Sequence, residues 1–142
     1  MKKTFLIIAF AVIAGTAFSQ EIKFGVGAAL GGNTDFGVHA RALYELQDKI
    51  DIVGGFTLSF PTGITAWQIS ADAHYKFAEE GDFIFYGLAG FNYSHTKIKG
   101  LAGNGKLGFD IGAGTEYKKF FGELKLDTGF GEQVALTIGM YF

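Results

Sequence analysis

The chain has 142 residues, 49% of them hydrophobic and 16% aromatic, with 22 glycines, one proline and no cysteine. Its formal charge is −2 and no strongly basic stretch occurs, which argues against a nucleic-acid partner. Length allows one domain, and the composition excludes a collagenous chain, a disulfide framework and a lipid-anchored cysteine.

The N-terminus reads as an export signal. Met1, Lys2 and Lys3 precede an apolar run over Phe5–Ala14, and Ala17 and Ser19 put small residues where a signal peptidase cuts. The run falls short of the ~20 residues that a membrane-spanning helix needs. We therefore expect a signal peptide over residues 1–19 and one β-barrel domain over residues 20–142. With Lys2 and Lys3 gone, ten basic residues face fourteen acidic ones.

After the signal, eight segments alternate apolar and polar residues with period two: Ile22–Leu30, Phe36–Leu46, Ile50–Phe60, Trp67–Phe77, Phe83–Tyr93, Leu107–Tyr117, Phe120–Phe130 and Val134–Phe142. Each has the length of a tilted strand crossing a bilayer. Short charged turns at Gln47–Lys49, Glu79–Asp82 and Lys118–Lys119 alternate with connections at Gly31–Asp35, Pro61–Ala66, Ser94–Lys106 and Gly131–Gln133. Only Ser94–Lys106 is clearly long. This is the pattern of an eight-stranded antiparallel up-and-down transmembrane β-barrel with short periplasmic turns.

Volume decides which face points out. Twelve of the thirteen phenylalanines after the signal share one face, and that face carries no charge within the predicted strands. The opposite face holds Gly25, Gly27, Gly31, Gly37, Gly55, Gly90, Gly108, Gly112, Gly114, Gly129 and Gly139. An eight-stranded barrel has an interior just wide enough for its own side chains, so the small residues belong inside and the phenylalanines outside. In water such an exterior exceeds any apolar patch that a soluble monomer tolerates. The aromatics also sort by height. Tyr44, Tyr75, Phe77, Phe83, Tyr117, Phe120 and Phe142 lie toward the short turns, and Phe36, Phe60, Trp67, Phe91, Tyr93 and Phe130 toward the other rim. Two such girdles about 25 Å apart bound the lipid-facing band of outer-membrane barrels.

The segments Asp82–Tyr93, with Phe83, Phe85, Gly87, Gly90 and Phe91, and Phe109–Tyr117, with Gly112, Gly114 and Glu116, resemble the small outer-membrane β-barrel family related to the OmpA transmembrane domain and OmpX. So does the closing Val134–Phe142. The resemblance implies a Gram-negative outer membrane, contact with outer-membrane lipid and lipopolysaccharide, and a monomer. It also implies that Phe142, with Met140 and Ile138 before it, is an assembly signal read by the barrel-assembly machinery. It says little about activity, because members of the family include structural barrels, surface proteins and small pores.

Polar chemistry concentrates on the inward face. Its acids are Glu45, Asp51, Asp72, Asp110, Glu116, Glu123 and Asp127, and its bases are Lys23, Arg41, Lys76 and Lys125. The turn at residues 47–49 sets Glu45 opposite Asp51, with Lys23 and Lys76 on the flanking strands. The turn at Lys118 and Lys119 sets Asp110 opposite Asp127, to be bridged by Arg41 or by Lys125, or reconciled by a shared proton or a bound cation. Buried charges need partners, so we expect Lys23, Arg41, Glu45, Asp51, Asp72, Lys76, Asp110, Lys125 and Asp127 to form an ion-paired lumen network.

His39 and His74 point inward, and His95 falls in the predicted long loop. Ser70 and His74 share a face but lie about 13 Å apart along the strand, too far for a nucleophile and its base. Lys97, Lys99 and Lys106 in the long loop are candidates for lipopolysaccharide contact. The resulting expectation is a structural or surface barrel, not an enzyme, with no cofactor. The alternatives are a small-solute pore and a lipid-A-modifying enzyme.

Overall fold

The computed structural model describes residues 22–31, 36–60, 64–98, 100, 103–128 and 133–142. The expected signal peptide, Lys99 and Phe130 lie outside them. Eight strands follow in order: β1 (Ile22–Leu30), β2 (Phe36–Gln47), β3 (Ile50–Ser59), β4 (Ile64–Glu80), β5 (Phe83–Ile98), β6 (Asn104–Tyr117), β7 (Phe120–Asp127) and β8 (Gln133–Tyr141). Each pairs antiparallel with its neighbour, and β1 pairs with β8 from Gly25↔Tyr141 to Leu30↔Leu136, so the sheet closes into a barrel.

The two-residue turns at 48–49, 81–82 and 118–119 lie where the charged breaks in the alternation put them. Gly81 and Lys118 take positive φ there, 59° and 55°. The expected cross-strand pairs form: Glu45↔Asp51 on β2 and β3, and Asp110↔Asp127 on β6 and β7.

The strand ends differ from the alternation at the rim opposite these turns. β4 and β5 pair as far as Ile64↔Ile98, and β5 and β6 as far as Thr96↔Asn104. Most of the predicted loop Ser94–Lys106 is therefore strand, and His95 and Lys97 are strand residues. Backbone pairing continues past the apolar stretch because a ladder needs backbone partners, not a hydrophobic face. β7 ends earlier than expected. The Thr128 hydroxyl accepts the Phe109 N–H at 2.8 Å, replacing the carbonyl that the ladder would have supplied.

The inside–outside assignment holds. Phe24, Phe36, Phe56, Phe60, Phe77, Phe83, Phe91, Phe109, Phe120 and Phe142 are exposed on the exterior, whereas Phe121, on the opposite parity, is buried in the lumen. Near the turns, Phe83 packs on Tyr117 at 4.6 Å, while Lys118 lies over Tyr117 and Lys119 over Phe120. An exterior of this kind requires lipid around it. Glycine is needed where strands pass closest to filled lumen. A Cβ on Gly27 would lie 2.9 Å from the Gly139 Cα across the closing β1–β8 seam.

Candidate functional site

The lumen is filled in layers, and every layer is built from inward-pointing alternate residues. At the turn end, Lys23 pairs with Glu45 at 3.3 Å and Lys76 with Asp51 at 3.1 Å. The first pair sits at the mouth, with side chains 38% and 44% exposed, so it contributes little, on the order of 0–1 kcal/mol. Above them Leu43, Val53, Phe121 and Tyr141 form a small apolar layer. The guanidinium of Arg41 lies over the Phe121 ring, 4.0 Å from its centroid, which joins this layer to the next.

That next layer closes the barrel. Both terminal nitrogens of Arg41, on β2, donate to the two carboxylate oxygens of Glu123, on β7; the Nη2–Oε1 bond is 2.8 Å. Tyr86, on β5, donates its hydroxyl to Glu123 Oε2 at 2.7 Å and stacks on His74 of β4 at 4.5 Å. Arg41 Nε donates to His39 Nε2 at 3.0 Å, and His39 Nδ1 meets the Thr57 hydroxyl at 2.8 Å. With Nε2 accepting from Arg41, the ring proton sits on Nδ1 and is donated to Thr57. Four strands thus contribute to one hydrogen-bonded cross-brace, and His74 of β4 stacks against it. Gly114 makes room for it, since a Cβ there would fall 2.6 Å from Tyr86 Cζ and 2.8 Å from Glu123 Cγ.

Toward the opposite rim lies an acidic layer. Lys125 Nζ is 3.5 Å from Asp110 and 4.0 Å from Asp72. Asn92 donates to Asp110 at 2.9 Å and to Asp127 at 3.2 Å, and Gln68 donates to Asp127 at 2.8 Å and to Ser94 at 3.0 Å. All of these side chains are buried.

The nine expected residues fall into separate groups: Lys23 with Glu45, Lys76 with Asp51, Lys125 with Asp72 and Asp110, Asp127 with Gln68 and Asn92, and Arg41 with Glu123. Arg41 does not bridge Asp110 and Asp127; it is committed to Glu123, and Lys125 with two amides serves the aspartates instead. Sequence reasoning placed Glu123 inward but left it out of the network, and it did not assign Tyr86, His39, Gln68 or Asn92. Their inward parity was the available signal, but parity does not say which residues meet across a lumen.

The candidate lipopolysaccharide lysines separate. Lys97 shares the outward parity of Tyr93 and His95 on β5, whereas Lys106 pairs with Ser94 on the lumen-side parity, and Lys99 lies outside the described residues. His95 is also outward, opposite Trp67 and Gly105, so the outer surface does carry a histidine near the rim. Neither cross-strand neighbour of His95 is a nucleophile.

No family model and no curated protein matches the sequence. Solved structures do match. The N-terminal β-barrel domain of Pseudomonas aeruginosa OprF is 19% identical with a TM-score of 0.64, covering 85% of this chain and 96% of that one. The Yersinia pestis outer membrane protein Ail, in a phospholipid bilayer nanodisc, is 16% identical with a TM-score of 0.55, covering 87% and 100%. The outer membrane enzyme PagL is 12% identical with a TM-score of 0.52, covering 85% and 97%. One fold thus carries Ail, the attachment invasion locus protein, and an enzyme, and it does not choose between them. In topology, strand number and lipid-type exterior, the chain has the fold of the small eight-stranded outer-membrane β-barrels.

Proposed function

We propose that this chain is an exported, monomeric outer-membrane barrel of the Gram-negative envelope with a plugged lumen, serving a structural or surface role and carrying out no catalysis. The observation that carries the reading is the Arg41–Glu123 cross-brace, whose side chains are 2% and 1% exposed and which ties β2 to β7 across the middle of the barrel. A brace of that kind, packed between an apolar layer and an acidic one, supports a lumen closed to water. The export signal at residues 1–19 and the uncharged lipid-facing band support the location.

The test has two parts. Fractionation places the protein in the outer membrane, with the heat-modifiable electrophoretic migration of a folded barrel; recovery as a soluble periplasmic monomer without detergent overturns the location. In a planar bilayer the folded protein gives no steady conductance, and a steady channel overturns the plug.

The second reading is a small cation-selective pore. It is favoured by the excess of inward acids, Glu45, Asp51, Asp72, Asp110, Glu116, Glu123 and Asp127, over Lys23, Arg41, Lys76 and Lys125. Steady conductance with cation selectivity is its signature.

A further inference from the structure

Beyond the turn-distal end of the apolar band, β4 and β5 carry a surface that the lumen argument does not use. On their outward faces Thr65 pairs with Lys97, Trp67 with His95 and Ile69 with Tyr93. Trp67 stacks on His95 at 5.4 Å and 23°, and packs on Tyr93 at 5.8 Å. The neighbouring strand leaves space for these rings. A Cβ on Gly103 would fall 2.7 Å from His95 Cε1, and one on Gly105 would fall 2.8 Å from Tyr93 Cζ. The two glycines leave room beside β6 for the His95 and Tyr93 rings.

The result is a cluster of three rings, with Trp67 stacked on His95 and tilted 50° to Tyr93. Below it Phe91 and Leu107 are 75% and 76% exposed, at the edge of the apolar band. Above it stands Lys97, about 7 Å further along the strand from His95. Among the described residues, Lys97 is the one charged side chain on the outward faces of β4, β5 and β6 in this half of the barrel. A lone ammonium above clustered aromatic rings, at the edge of the apolar band, has a specific complement. The C–H faces of a sugar ring lie on aromatic rings, and a phosphate on that sugar meets the ammonium as a charge-assisted contact.

We infer that this platform binds the phosphorylated disaccharide headgroup of lipid A in the outer leaflet, with Lys97 on a phosphate and Trp67 and Tyr93 against the sugar. The inference rests on the outer-membrane reading for its choice of leaflet. It commits to a membrane glycolipid because the platform faces outward, where the surface immediately below is apolar and lipid-covered.

The chain contains one tryptophan, so Trp67 emission reports on this surface alone. Folded full-length protein in neutral detergent micelles is titrated with bisphosphorylated lipid A, and lipid A retained by the purified protein is measured by mass spectrometry. The expected result is a saturable change in Trp67 emission with retained lipid A. Dephosphorylated lipid A and phosphatidylglycerol, which lack the phosphate and the disaccharide respectively, give weaker responses. Lys97→Ala weakens binding by about three- to fivefold, the scale of one exposed ion pair. Lys106→Ala, on the lumen-side face, leaves it unchanged. Heat-modifiable migration verifies that each variant is folded.

An equal response to phosphatidylglycerol, or an unaltered affinity in Lys97→Ala, reduces the platform to a non-specific aromatic girdle and overturns the inference. Saturable binding of a soluble sulfated sugar in preference to lipid A, or of a peptide, assigns the surface to another partner and also overturns it. The absence of both an emission change and retained lipid overturns it outright. Because binding is read in micelles, these outcomes are independent of where the protein fractionates.

Discussion

Arg41 and Glu123 lie on strands that are not neighbours, yet they form a bidentate pair across the lumen with Nη2 and Oε1 2.8 Å apart. The pair is completed by the Tyr86 hydroxyl on the carboxylate and His39 on the guanidinium. Removing one partner strands a charge in the barrel, whereas removing both removes the charges together.

Arg41→Ala is accordingly expected to destabilise the folded barrel by about 3–5 kcal/mol, measured by urea unfolding in phospholipid vesicles. Adding Glu123→Gln recovers part of the loss, because the stranded carboxylate is then neutral. Adding Asp110→Asn and Asp127→Asn recovers none of it. A rescue by the aspartate changes and not by the Glu123 change would reverse the assignment of partners.

Lys125→Met is expected to lose stability on a similar scale, since Asp110 and Asp72 lose their nearest ammonium group. Asp110→Asn in the same background restores more than Asp51→Asn does, because Asp51 pairs with Lys76 in a separate layer. A double-mutant cycle by unfolding in vesicles gives the comparison, and equal recovery would mean that the layers are electrostatically one.

Two glycines separate lumen crowding from lipid exposure. A Cβ at Gly27 meets the β8 backbone, whereas at Gly54 nothing lies within 4 Å. Gly27→Val is expected to cost about 1–3 kcal/mol or to prevent closure, and Gly54→Ala is expected to be neutral or to stabilise by about 0.4–1 kcal/mol. Refolding yield into vesicles followed by unfolding measures both. Equal tolerance at the two sites would contradict the close approach of β1 and β8.

Phe142 is 76% exposed, and its N–H donates to the Phe24 carbonyl at 2.9 Å, so its side chain adds little packing. Deleting it is expected to lower the amount of barrel in the outer membrane while leaving the unfolding midpoint of refolded protein nearly unchanged. Normal membrane levels of the truncated chain would show that the terminal aromatic, with Ile138 and Met140, is not read during assembly.

Sequence alone determined the strands, their inward and outward faces and the hairpin pairs such as Asp110 with Asp127. Each of these follows from local rules: side chains alternate with period two, and a two-residue turn sets the register beside it. It also placed Phe121 apart from the other phenylalanines, because parity is counted along one strand. Only the closed barrel decided that Arg41 meets Glu123, 82 residues away, and not the aspartates. Contacts across a lumen depend on strand tilt, on stagger and on which glycines leave room, and none of these is encoded in a single hairpin. The same holds for the rim. The apolar pattern ends near Tyr93, but backbone pairing carries β5 on to Ile98, and that continuation puts His95 and Lys97 on the outer face beside Trp67.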